Sequence, residues 1–122
     1  ENPVFFADLD WKLLMKTIRN QAVKYSEISK FPAVSRDLAL LIDQNVEFGR
    51  IEQIAYQTEK KLLKAVTLFD VYEGKNLPAG KKSYAVNFIL QDTEKTMSEK
   101  AIDAIMQKLI QQLTKQLGAE LR

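Results

Sequence analysis

Cysteine and histidine, the residues behind much catalysis near neutral pH, are both absent from this chain. That excludes disulfides, thiolate nucleophiles and thiolate or imidazole metal sites, and it removes the usual general base. Carboxylate, serine–lysine or tyrosine chemistry is left, and no spacing along the chain assembles any of them, so neither a catalytic nor a metal-binding residue is assigned. The polar residues that do group together point to binding. Ser35, Arg36 and Asp37 open one apolar segment, and Tyr72 closes a second, with Lys75 just beyond it. Lys81, Lys82, Ser83 and Asn87 lead into and through a third. Short polar groups offer hydrogen bonds, a tyrosine offers a stacking face, and clustered ammonium groups offer a path for phosphates. Each also has a plainer reading. Tyr72 can be structural, the three lysines can be a solvated loop, and Arg36 can pair locally with Asp37 to orient the backbone.

The elements that must position these groups are read from periodicity. Across Phe31–Asp43, Leu38, Leu40 and Ile42 alternate with Asp37, Ala39, Leu41 and Asp43, the pattern of a strand with one covered face. Val46 and Ile51 bracket a helix start near Glu47, and Phe48, Ile51, Ile54, Ala55, Thr58 and Leu62 trace its apolar side. Ala65–Tyr72 reads as a second strand with faces Thr67-Phe69-Val71 and Leu68-Asp70-Tyr72. Burying Asp70 unpaired costs several kcal/mol, against roughly 1.5–3 kcal/mol gained from one large apolar side chain. The Asp70 face is therefore expected to be open, with Phe69 in the core.

Gly74, Pro78 and Gly80 mark a hairpin loop, and a third strand runs from Lys81 to Asp92. Ser98 is an N-cap with Met97 and Ile102 as a staple. Ile102, Ile105, Leu109, Leu113 and Leu117 then form one side of a long helix stopped by Gly118. Ala119–Arg122 is long enough for a last edge strand. The order after residue 30 is β-α-β-β-α-β. This implies an α+β, ferredoxin-like sandwich: a four-stranded antiparallel sheet, first and third strands central, with two helices on one face. The other sheet face is left free for a partner.

Residues 1–29 are less determinate and are read as an N-terminal arm or linker, with residues 30–122 as the domain. Asp8 or Asp10 can cap a short helix from Trp11, with Trp11, Leu14, Met15 and Ile18 on one side. Asn20–Lys30 reads as an extended connection. The arm is expected to pack on the domain, because its Trp and adjacent Phe5 and Phe6 would otherwise be exposed together. The chain has 122 residues and a formal net charge of +2, so any nucleic-acid contact must come from a local patch. It opens on Glu1 with no visible signal peptide and has no apolar run long enough to span a bilayer. It is read as a piece of a longer cytoplasmic protein without membrane contact.

Three stretches together carry a resemblance. Phe31-Pro-Ala-Val-Ser-Arg-Asp-Leu-Ala-Leu40 resembles the opening of the ferredoxin-fold anticodon-binding domain, the domain that closes the β chain of bacterial phenylalanine–tRNA ligases. Leu68-Phe-Asp-Val-Tyr-Glu-Gly74 with Gly80-Lys-Lys-Ser-Tyr-Ala85 resembles its hairpin. Lys95-Thr-Met-Ser-Glu-Lys100 and Gly118-Ala-Glu-Leu-Arg122 resemble its second-helix start and its end. Met97 and Ala101 depart from the leucine and acidic residue usual there.

The resemblance implies an α₂β₂ cytoplasmic enzyme that uses ATP and Mg²⁺ on its α chain, with this domain reaching the anticodon of the phenylalanine tRNA. It implies no cofactor in the domain and no catalysis by the fragment alone. It makes Ser35, Arg36, Asp37, Tyr72, Lys75, Lys81, Lys82, Ser83 and Asn87 candidate RNA contacts. Ser35, Asp37, Ala39, Ser83, Ala85 and Asn87 on the open faces of the central strands favour hydrogen bonding and close approach over broad stacking, leaving Tyr72 as the plausible stacker. A ligand-sensing domain of the same topology is the competing reading, as is a protein-assembly module. Asp43-Gln-Asn-Val46 lacks the glycine that such sensors place after the first strand.

Overall fold

The structure is a computed structural model that describes residues 3–18, 25 and 27–122. Its elements are α1 (Trp11–Ile18), β1 (Val34–Asp43), α2 (Phe48–Thr58), β2 (Leu63–Tyr72), β3 (Lys81–Leu90), α3 (Glu99–Leu117) and β4 (Glu120–Leu121). The strands form one antiparallel sheet in the order β2-β3-β1-β4, so β1 and β3 are central.

Alternation along β1 and β3 builds the core. Val34, Leu38, Leu40 and Ile42 face Leu90, Val86, Tyr84 and Lys82 on one side of the sheet. Ile51, Ile54 and Ala55 of α2 and Ile102, Met106, Leu109 and Leu113 of α3 close over that side. Phe88 is fully buried at its centre. Burying several such side chains, each contributing roughly 1.5–3 kcal/mol, fixes which face the helices cover. The ends of α3 follow from single residues. Ser98 Oγ accepts from the Ala101 N–H at 3.4 Å, and Gly118 ends the helix at φ 61°.

Strand β2 departs from simple alternation. Leu68 lies opposite Val86 and Asp70 opposite Ala85, so Phe69 is the extra residue of a bulge. A second shift falls between Leu63 and Ala65. The consequence corrects one expectation. Asp70 and Tyr72 are on the open side, opposite Ala85 and Ser83, but Leu68 turns inward against the core and Phe69 is 59% exposed. An extra residue inverts the facing of everything on one side of it.

The arm is the other correction. Asp10 Oδ1 accepts from the Leu13 N–H at 3.1 Å, capping α1. Yet α1 buries none of its residues, and Phe5 and Phe6 are exposed. The sheet's apolar face is already closed by α2 and α3, and the arm leaves the apolar residues still exposed on the domain, such as Phe69 and Leu121, uncovered. Much of the connection expected over Asn20–Lys30 lies outside the described residues.

Candidate nucleic-acid interface

The face of the sheet away from the helices is built by the other half of the alternation. On β1 it carries Ser35, Asp37, Ala39, Leu41 and Asp43, opposite Ile89, Asn87, Ala85, Ser83 and Lys81 of β3. Beyond β3, strand β2 adds Thr67, Asp70 and Tyr72. The middle of this surface is a hydrogen-bonded trio. Asn87 Nδ2 donates both to Ser35 Oγ and to Asp37 Oδ1. Both amide hydrogens are thereby committed within the sheet, which leaves the Asn87 carbonyl oxygen and the other Asp37 oxygen as acceptors for an incoming group.

Tyr72 stands farther along the same face, opposite Ser83 and four residues along β3 from Asn87. Gly74 packs so close that a Cβ there would lie 2.5 Å from the tyrosine hydroxyl. The guanidinium carbon of Arg122 is 5.4 Å from the centroid of the ring, within cation–π range. Ser83, between Leu41 and Tyr72, is on the open face but only 6% exposed. It forms the floor of the surface and is no rim group.

The lysines separate. Lys75 is exposed in the hairpin loop. Lys81 is on the open side and bonds Asp43 at 2.9 Å, which raises its pKa above the ordinary 10.5. Lys82 alternates to the helix side, opposite Ile42, is 8% exposed, and rests 4.6 Å from the centroid of the Tyr84 ring. Neighbouring residues in a strand point to opposite faces, so the Lys81-Lys82 pair is not one patch.

The same alternation corrects the local-pair reading of Arg36. It lies opposite Phe88 on the helix side, and its guanidinium meets Glu99 of α3 at 2.6 Å, while Asp37 takes the Asn87 amide on the other face. Ser35, Asp37, Tyr72, Lys81, Ser83 and Asn87 thus share one surface, with Lys75 at its edge in the loop. Two groups on it, Asp70 and Arg122, stand outside the residue set read from the sequence. The charge of Asp70 alone assigns it to the open face. Arg122 was in an expected edge strand, but only the strand order shows which ring it reaches.

Among the described residues no cluster of carboxylates is arranged to hold a metal ion. Among the same residues no helix is long and apolar enough to cross a membrane. The surface is suited to accept hydrogen bonds, stack one planar group and meet negative charge at its rim.

An exposed β-sheet face over a two-helix layer, lined this way, defines a polar binding domain, and its sequence places it in a family. Residues 29–122 match the family described as "Ferredoxin-fold anticodon binding domain", and the chain belongs to it. The whole chain is 66% identical to the "Phenylalanine--tRNA ligase beta subunit" of Bacteroides fragilis and 64% identical to that of Bacteroides thetaiotaomicron, over 122 residues in each case. A third relative of that name, from Geobacillus kaustophilus, is 42% identical over 103 residues, 84% of this chain and 13% of its own length. The chain spans about 15% of the length of the two Bacteroides relatives.

Proposed function

We propose that this chain is the anticodon-reading part of a phenylalanine–tRNA ligase β subunit and that the open sheet face is its reader. The observation that carries the reading is the Ser35–Asn87–Asp37 trio, a preorganised set of acceptors on the uncovered face. Unpaired bases of a tRNA loop present their edges to such short polar groups. Tyr72 supplies the stacking surface, and Lys75 and Lys81 meet the backbone at the rim. Arg36 and Lys82, committed on the helix side, serve the fold.

In the parent enzyme the domain works in the cytoplasm within an α₂β₂ assembly, and ATP, Mg²⁺ and amino-acid activation belong to the α chain. The 122-residue chain by itself activates no amino acid. Nuclease footprinting of the phenylalanine tRNA by the intact ligase tests the reading. Protection of anticodon-loop nucleotides in wild type, reduced in an Asp37→Ala variant, is the expected result. Identical protection in both proteins would contradict it. A chain that binds free phenylalanine and leaves the anticodon loop unprotected would be a ligand sensor instead.

A further inference from the structure

We propose that Arg122 is the movable second wall of a base-stacking slot whose first wall is Tyr72, an inference that rests on the RNA-binding reading of the open face. The backbone of Arg122 is anchored, because its N–H donates to the Ala39 carbonyl at 3.0 Å and extends the β4 pairing along β1. Its side chain is not anchored in that way. Among the described residues it enters no ion pair, and its recorded partner is the ring of Tyr72, 5.4 Å away.

Those two residues start from opposite edges of the sheet. In the order β2-β3-β1-β4, both β3 and β1 lie between them. They meet because the surface between them is low: Ala39 and Ala85 face one another on the two central strands, and neither side chain extends beyond a methyl group. A guanidinium crossing a sheet to lie on an aromatic ring covers the very face a base would use.

The two groups differ in freedom. The hydroxyl end of Tyr72 sits against Gly74 and its side chain turns about two bonds, whereas the arginine side chain turns about several single bonds. A planar base between the two needs two contact layers of about 3.5 Å each, or about 7 Å in all. The guanidinium therefore lifts by less than roughly 2 Å to admit one. Arginine then stacks on the outer face of the base as it stacked on the ring, because a flat, weakly hydrated cation suits either surface. The ligand is an unpaired nucleobase in a single-stranded segment.

The test titrates the phenylalanine tRNA with the intact ligase at several salt concentrations, as wild type, Tyr72→Ala, Arg122→Ala and Arg122→Lys. Tyr72→Ala and Arg122→Ala should each weaken binding roughly tenfold, the scale of one stacking contact. Arg122→Lys should recover little, since an ammonium has no plane. Melting temperature should be unchanged in the Arg122 variants, because the backbone bond to Ala39 remains. Full recovery by lysine, with a salt slope flattened by about 0.7 in Arg122→Ala, would make Arg122 a phosphate contact and overturn the proposal. Undiminished or tighter binding by Arg122→Ala, with Tyr72→Ala impaired, would make it a mere cover and also overturn it. If Tyr72→Ala binds like wild type, the open-face reading itself fails and the slot with it.

Discussion

The ammonium of Lys82 rests 4.6 Å from the centroid of the Tyr84 ring, on the side of the sheet that the helices cover. Its neighbour Lys81 points the other way and is paired with Asp43. Two adjacent lysines therefore have different work. Lys82 covers a core tyrosine with its stem and caps the ring with its charge.

Lys82→Ala is expected to cost about 1–2 kcal/mol of stability through the lost stem packing and cation–π contact. It should leave the salt dependence of tRNA binding unchanged. Lys75→Ala should do the reverse, keeping stability and flattening log affinity against log salt by about 0.7. Denaturation and salt titrations of both variants check the pair.

The bulge at Phe69 gives a second test. Leu68 packs against the core and Phe69 is largely exposed. Leu68→Ala should cost about 2 kcal/mol or more, Phe69→Ala less than about 1 kcal/mol, and Phe88→Ala about 3–5 kcal/mol. Chemical denaturation ranks the three. A Phe69 variant as costly as Phe88→Ala would place the ring inside after all.

These cases show what was readable in the chain. Period-two alternation in Leu38–Ile42 and Tyr84–Leu90, and helical spacing in Ile51–Ala55 and Ile102–Leu113, carried the element order and the identity of the covered face. The charge of Asp70 correctly put it in the open. Alternation alone puts Phe69 in the core, because nothing local distinguishes a strand with one extra residue from a regular one. Only its pairing with β3 reveals the slip. Arg36 and Lys82 lie among hydrophilic neighbours, so their commitment to the helix side depends on strand phase and on α3 being nearby. The Tyr72–Arg122 contact joins residues at the two edge strands, a relation that only the assembled strand order defines. The exposed arm was misjudged because apolar content signals that a surface needs a partner without saying which one.

The Lys81–Asp43 pair carries a pH dependence. The hydrogen bond to Asp43 raises the lysine pKa above its ordinary 10.5. A group with a raised folded-state pKa adds stability that is fully present below its unfolded pKa and is lost as pH rises through the folded one. Wild type should therefore be more stable than Lys81→Gln at pH 8–9, and the difference should shrink above about 10.5. Urea titrations across that range provide the check.

Gly74 is set by close approach, since a side chain there would meet the Tyr72 hydroxyl. Gly74→Ala should displace the ring and weaken tRNA binding by up to about tenfold, as loss of one stacking contact does. The melting temperature should change little, because residue 74 is exposed in the hairpin loop. A variant with full affinity would show that the ring's position is unimportant for binding.

The most direct test of the open face as reader concerns Asn87, whose amide organises Ser35 and Asp37. The measurement is a titration of the intact ligase, wild type and Asn87→Ala, with the phenylalanine tRNA and with the same tRNA carrying a swapped anticodon, at several salt concentrations. Asn87→Ala should reduce the preference for the cognate anticodon roughly 2–10-fold, the scale of one net hydrogen bond. The salt slope should stay unchanged, because base contacts specify while phosphate contacts only position. An unaltered preference for the cognate anticodon would contradict the account.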